Sequence, residues 1–241
     1  MRRYLVVDDN VPIAENLAEI FRDEGAEVTI VTNGAEAIEA IKGTRFDVML
    51  TDMRMPGMSG AQLVHEIRRI DPELPAIIIT AYIGSEDLSH AEGAGLLAAL
   101  PKPIPLQRLL HLAAVARRGG LVAVLEDDTA LADNLRELLT EGGFSVVVAR
   151  SVLETERLGA FLPFVALVDM RVPGGPPGEG MRLLHQRFPD APLIVMTAFD
   201  SEQPPVQPQQ TFIKPFDTAK LLDVVEKMYE GRGATATSAA G

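Results

Sequence analysis

The sequence predicts an α/β protein built from two doubly wound, five-stranded parallel sheets, and three observations carry that prediction. Short apolar runs of strand length alternate with stretches whose apolar residues recur at i, i+4, i+7 and i+8, the period of a helix packed on one face. Within the runs the apolar residues are consecutive, as strands covered on both faces require. The third observation is a repeat: Phe46-Asp47-Val48-Met49-Leu50-Thr51-Asp52-Met53-Arg54-Met55-Pro56-Gly57 returns as Phe164-Val165-Ala166-Leu167-Val168-Asp169-Met170-Arg171-Val172-Pro173-Gly174. Asp52 and Asp169 stand 117 positions apart, so the 241 residues read as one domain written twice.

The first copy opens with the apolar run 4–7, which delivers Asp8 and Asp9 to its end. Ile13, Leu17, Ile20 and Phe21 then mark the inner face of a helix, and Gly25 stops it. Residues 28–31 form a second strand, and a helix through Ile38 and Ile41 leads to the strand that carries Asp52. After Pro56-Gly57 a third helix turns Leu63, Val64 and Ile67 inward, followed by the strand 76–80. A weaker helix covers about 85–94, residues 96–100 form a fifth strand, and a last helix runs from about 106 to 117. Strand and helix alternate throughout, which gives a parallel sheet with helices on both faces.

Arg117-Arg118-Gly119-Gly120 contains the linker, with domains at 1–118 and 121–230 joined by residues 119–120. In the second copy Leu131, Leu135, Leu138 and Leu139 repeat the first helix's apolar face at a constant offset of 118. Strands follow at 121–125, 146–148, 165–168, 193–196 and 211–213. Symmetry fails between Phe199 and Thr211, where Pro204, Pro205 and Pro208 remove amide donors and oppose helical geometry, so no regular fourth helix is expected over 200–210. The final helix spans about 218–230, and 231–241 is a small-residue tail expected to be disordered.

Composition narrows the function. There is no cysteine, which excludes disulfides, thiolate metal sites and thiol nucleophiles. A net charge of −12 disfavours a nucleic-acid partner, whose phosphates call for clustered Lys and Arg. No apolar run approaches the roughly 20 residues that span a bilayer, and Asp8-Asp9 interrupt any leader, so neither membrane nor secretion is expected and the cytoplasm is the expected compartment.

In a sheet of this class the ends of the first and third strands converge at the crevice where strand order reverses. Asp8, Asp9 and Asp52 would crowd together there, as would Glu126, Asp127 and Asp169 in the second copy. Close carboxylates repel unless a cation joins them, and all-oxygen ligation suits Mg²⁺ or Mn²⁺, not zinc. A hydroxyl ends the fourth strand, Thr80 or Thr197, and an ammonium follows the fifth, Lys102 or Lys214. A carboxylate nucleophile ringed by a hard cation, a lysine and a hydroxyl is what phosphoryl transfer onto that carboxylate requires, and the product is an aspartyl phosphate.

Leu-Val-Val-Asp-Asp, Leu-Thr-Asp-Met-Arg-Met-Pro-Gly-Met-Ser-Gly, Ile-Ile-Ile-Thr-Ala and Leu-Pro-Lys-Pro resemble the receiver domain of two-component response regulators. Val-Leu-Glu-Asp-Asp, Leu-Val-Asp-Met-Arg-Val-Pro-Gly, Val-Met-Thr-Ala and Phe-Ile-Lys-Pro carry the same resemblance in the second copy. The resemblance implies two flavodoxin-like sheets of order 2-1-3-4-5. It implies that Asp52 and Asp169 accept phosphate from a histidine of a sensor kinase or phosphotransfer protein. It makes Asp9 and Asp127 direct Mg²⁺ ligands, with Asp8 and Glu126 behind them and the backbone carbonyls of Arg54 and Arg171 on the same ion. It also implies cis bonds at Lys102-Pro103 and Lys214-Pro215, which would aim each ammonium at the phosphate, and kinase docking near residues 12–22 and 130–136.

Departures from that family stand beside the matches. The aromatic residue usually found three places before the lysine is replaced by Ala99 and Thr211, with Phe212 one place off. Arg54, Tyr82, Arg171 and Phe199 occupy positions that tune phosphate hydrolysis in the family. His65-Glu66-Ile67-Arg68 has the look of a histidine kinase's phosphoaccepting box, but there is no glycine-rich nucleotide loop, so His65 and the matching His185 read as partly exposed helix residues.

The resulting expectation is a non-enzymatic, stand-alone tandem receiver in a phosphorelay, with output through protein contact and no room for an effector module after Gly231. Two alternatives remain open: a Mg²⁺-dependent phosphohydrolase working through an aspartyl phosphate, and a scaffold in which the second copy no longer accepts phosphate. The hydrolase reading expects a second Asp two places after the nucleophile, where Arg54 and Arg171 stand.

Overall fold

The computed structural model describes residues 1–81, 86–160, 162–199 and 201–238. The chain forms two compact units, Met1–Gly119 with Gly143–Val147, and Gly120–Gly142 with Val148–Gly241. Among the described residues no helix is long and apolar enough to cross a membrane.

The first sheet contains β1 (Arg3–Val7), β2 (Glu27–Val31), β3 (Val48–Asp52), β4 (Ala76–Thr80) and β5 (Ala98–Pro101). Their order is β2-β1-β3-β4-β5, all pairings parallel. Between them run α1 (Val11–Asp23), α2 (Gly34–Gly43), α3 (Gly60–Ile70), α4 (Glu86–Gly93) and α5 (Leu106–Val115). Every residue of β3 and β4 is buried, so the consecutive apolar run is explained by helices on both faces. Leu17 and Phe21 of α1 are fully inside while Ile13 and Ile20 sit at the rim, a stripe of the expected width.

Caps fix where the helices begin. Asn10 accepts the Ile13 N–H, so α1 starts directly after the two acids. Ser59 and Gln62 form a reciprocal capping box that starts α3. The close approach of α3 to β3 demands Gly60: a Cβ there would lie 2.3 Å from the Asp52 carbonyl oxygen.

The second sheet contains β6 (Leu121–Leu125), β7 (Ser145–Ala149), β8 (Val165–Asp169), β9 (Leu193–Thr197) and β10 (Gln210–Ile213), in the order β10-β9-β8-β6-β7. This is the same 2-1-3-4-5 arrangement. Its helices are α6 (Thr129–Glu141), α7 (Glu179–Arg187) and α8 (Thr218–Ser238), with a 3₁₀ helix over Leu153–Ala160. In α6 Leu135 and Leu139 are buried and Leu131 and Leu138 half-buried, matching α1 position for position. Residues 201–209 contain no helix, as the three prolines require.

One expectation is corrected. The last helix does not stop near Glu230 but continues to Ser238, through part of the tail expected to be disordered. Glycine in a helix costs only about 1 kcal/mol relative to alanine, so Gly231 and Gly233 weaken α8 without ending it. The remainder of that tail, 239–241, and Tyr82 lie outside the described residues.

Candidate functional site

Parallel strands bring their carboxyl ends to one edge, and in each unit the sequence places its chemistry there. Asp8 and Asp9 follow β1, Asp52 is the last residue of β3, Thr80 ends β4, and Lys102 follows β5. The register sets Asp52 beside Ile79 and Thr80 beside Pro101, so the side chains leave the sheet at one level. The second unit repeats this with Glu126 and Asp127 after β6, Asp169 ending β8, Thr197 ending β9 and Lys214 after β10.

In the first unit Lys102 Nζ forms an ion pair with Asp52 Oδ1. The other Asp52 oxygen accepts the Arg54 N–H at 2.7 Å, which holds the carboxylate in one orientation. Asp8 is 3% exposed and accepts the Asn10 N–H at 2.9 Å. Burial pushes its carboxyl up, the Asn10 bond and Lys102 pull it down, and the neighbouring Asp52 and Asp9 charges push it up again, so the net shift is upward. Asp9 is exposed. The backbone N–H of Lys102 donates to the Thr80 carbonyl at 2.8 Å, which pins the lysine to the end of β4, and the Lys102-Pro103 bond is cis as expected.

In the second unit Lys214 Nζ lies 2.6 Å from Asp169 Oδ2 and also reaches both Glu126 oxygens, at 2.9 and 2.7 Å. Burial alone would lower its pKa, but the hydrogen bonds and charges of Asp169 and Glu126 outweigh that and raise it. Glu126 is 0% exposed, and burial raises its carboxyl despite Lys214. Arg171 N–H donates to Asp169 Oδ1 at 2.8 Å, Lys214 N–H donates to the Thr197 carbonyl at 2.7 Å, and Lys214-Pro215 is cis.

Oxygen atoms of Glu126, Asp127 and Asp169 lie within 4.8 Å of one another, the one such grouping of acids among the described residues, so the expected crowding is found in the second unit and not to that closeness for Asp8, Asp9 and Asp52, of which Asp9 is exposed. Two of the second unit's acids are carboxylates drawn onto a lysine and the third is exposed, an all-oxygen set with an open side. That donor chemistry fits a hard divalent cation that keeps some of its waters.

Residues beyond the expected set also matter. Arg68, fully buried on α3, donates to the carbonyls of Leu74 at 2.5 Å, Ala94 at 2.9 Å and Gly95 at 2.6 Å, and more weakly to Pro72. Desolvation lowers its pKa to about 10. It ties the ends of α3 and α4 together, which explains the kinase-like tetrapeptide as a packing device. His65 is exposed and His185 half-buried, as expected of helix-surface residues. Of the two positions that lack the usual aromatic, Ala99 is half-buried and Thr211 exposed, while Phe212 packs against Phe216 at 5.5 Å between ring centroids. Glu202, which no sequence signal singled out, accepts the Thr197 hydroxyl at 2.8 Å.

Residues 4–114 match the family described as response regulator receiver domain. A response regulator receiver protein of Anaeromyxobacter sp. (strain Fw109-5) is 57% identical over 235 residues, which cover 98% of both chains. The probable transcriptional regulatory protein TcrX of Mycobacterium tuberculosis is 36% identical over 50% of this chain, which spans 52% of that protein's length. Among solved structures, the receiver domain of Francisella response regulator 1452 superposes with a TM-score of 0.45 at 27% identity, covering 48% of this chain and 95% of that one.

Proposed function

The chain belongs to the response regulator receiver family of two-component systems, in which phosphoryl acceptance is the general function, and on that footing we propose that both of its domains accept a phosphoryl group, on Asp52 and on Asp169. The observation that carries the proposal is the closure, in both units, of the ammonium beyond the fifth strand onto the carboxylate that ends the third. An Asp oxygen attacks phosphorus, the new P–O bond forms as the P–N bond to a phosphohistidine breaks, and the imidazole leaves with the electron pair. Arg54 and Arg171 amides hold one oxygen of each nucleophile, leaving the other to attack. Lys102 and Lys214 are positioned to shift from the carboxylate to the incoming phosphoryl oxygens, and Thr80 and Thr197 supply a hydroxyl donor.

Mg²⁺ would be held by Asp9 and Asp52 with Asp8 behind them, and by Asp127 and Asp169 with Glu126 behind them, with the Arg54 and Arg171 carbonyls completing each set; when bound it neutralises charge on the transferred group. The donor partner is a histidine kinase or phosphotransfer protein, the compartment is the cytoplasm, and the output is contact with another protein. The chain acts as a stoichiometric acceptor and not as a turnover enzyme, since Arg54 and Arg171 stand where a phosphohydrolase of this chemistry needs an acid.

Phosphate-affinity gels of wild type, Asp52→Ala, Asp169→Ala and the double variant, incubated with acetyl phosphate and Mg²⁺, test this. Each single variant should lose one of two shifted species. Unchanged labelling of Asp169→Ala would make the second domain a pseudo-receiver, and labelling of the double variant would overturn the proposal outright. Phosphatase turnover at tens per second would favour the hydrolase reading instead.

A further inference from the structure

Glu202 lies in the non-helical segment that follows β9, and its carboxylate holds two donors at once. Thr197 Oγ1 donates to Oε2 at 2.8 Å, and Arg171 Nε donates to Oε1. The Arg171 guanidinium also lies over the Phe199 ring, 4.2 Å from its centroid, and the Phe199 N–H donates to Thr197 Oγ1 at 3.1 Å. Arg171, Phe199 and Thr197 therefore brace the acid, whose side chain is only 13% exposed. Its Oε1 is ion-paired with the Arg171 guanidinium and its Oε2 accepts the Thr197 hydroxyl, so both oxygens of the acid are engaged as acceptors.

A hydroxyl has one proton to donate. While Thr197 gives that proton to Glu202, it has none for an oxygen of an arriving phosphoryl group. The geometry points to Glu202 as a positioning residue of the second site, an internal anion that occupies the Thr197 hydroxyl and must withdraw before Asp169 is phosphorylated. The inference rests on Asp169 being an acceptor and goes beyond it by naming the residue that sets how fast that acceptor is filled. The first domain's Thr80 is followed by Ala81-Tyr82-Ile83-Gly84-Ser85, with no acid until Glu86.

The test uses the full chain with Asp52→Ala, so that Asp169 alone reports, with acetyl phosphate as donor and Mg²⁺ present. The P–O bond to Asp169 forms as the P–O bond to acetate breaks and acetate leaves with the electron pair. Glu202→Gln and Glu202→Ala should each raise the initial labelling rate roughly tenfold, about 1.4 kcal/mol off the barrier. In a Thr197→Val background the Glu202→Ala change should produce no rise, a dependence that a merely structural role would not show. Thermal unfolding confirms that each variant is folded, and the near-isosteric Gln variant carries the test if Ala is not. Equal rates with and without Glu202, or a rise that persists without Thr197, would overturn the inference while leaving Asp169 an acceptor. No label in any variant would overturn the acceptor reading and this inference together.

Discussion

Removing Lys214 is the sharpest probe of how the second site is held together. Glu126 is 0% exposed and both its oxygens lie on Lys214 Nζ, at 2.9 and 2.7 Å, with Asp169 on the same ammonium. Lys214→Met keeps the side chain's length and apolar stem but leaves a buried anion uncompensated. Breaking one partner of a buried pair costs about 3–5 kcal/mol, and because the lysine side chain is 21% exposed the low end, about 3 kcal/mol, applies. Urea unfolding followed by far-ultraviolet circular dichroism, in EDTA at pH 7, should show the second domain's transition moving to lower urea, its unfolding free energy smaller by that amount. The pH dependence follows from the upward shift of Glu126. A carboxyl whose folded pKa lies above its unfolded value of about 4.5 binds its proton more tightly when folded. Its contribution is therefore greatest below pH about 4.5 and is lost as pH rises through the folded pKa. The gap between wild type and Lys214→Met should accordingly narrow as pH falls toward 4.5, and Mg²⁺ should narrow it at pH 7. A variant as stable as wild type in EDTA, or a loss independent of both pH and Mg²⁺, would refute the reasoning.

Four further predictions concern the rest of the molecule. Arg68→Met strands four carbonyl acceptors, so the first domain should lose about 3 kcal/mol in the same unfolding assay while the second domain's transition stays put. Gly60→Ala forces a methyl against the Asp52 carbonyl, a backbone atom that cannot step aside, and should slow acetyl phosphate labelling of Asp52 on the order of tenfold or more. By contrast, Gly34→Ala meets the sulfur of Met58, the end of a flexible side chain, and should leave labelling within about twofold. Calorimetric titration should find Mg²⁺ affinity falling as the pH is lowered, by up to roughly tenfold per unit for each acid that must give up a proton, and beginning at higher pH than for free carboxyls, because Asp8 and Glu126 both hold their protons more tightly.

What the sequence disclosed and what it withheld separate along a physical line. Helix faces were readable because burial has a period: the stripe Ile13, Leu17, Ile20 and Phe21 and its copy in α6 show the same split between buried and rim positions. Strand ends were readable because an acid cannot continue a buried apolar run, so Asp52 and Asp169 announce the sheet's edge. The fifth strand was read too early, at 96–100, since Leu96 and Leu97 are buried before the ladder begins at Ala98. An apolar run reports burial and not pairing. Arg68 was misleading in isolation, yet it falls on the buried stripe of α3 with Ala61, Val64 and Ile67, and a charged residue on that stripe is the signal that it must be satisfied inside. Glu202 left no such trace, because its partners lie in β9 and after β8, and only the path of the proline-rich segment brings them together.

The two sites share a plan but not a balance of charge, and one methylene group accounts for much of the difference. Asp8 is buried and engages the Asn10 amide at 2.9 Å. Glu126, in the equivalent place, holds its corresponding amide, that of Asp128, at the longer distance of 3.3 Å and spends both oxygens on Lys214. The added reach moves the carboxylate away from the turn after β6 and onto the ammonium. Lys214 is consequently shared between two acids, and transferring it to a phosphoryl group uncovers Glu126 as well as Asp169. That uncovering is tolerable only when another cation stands in for the lysine. Phosphorylation of the second domain should therefore depend more steeply on divalent cation than that of the first, even though both carry the same aspartate, hydroxyl and lysine in the same order.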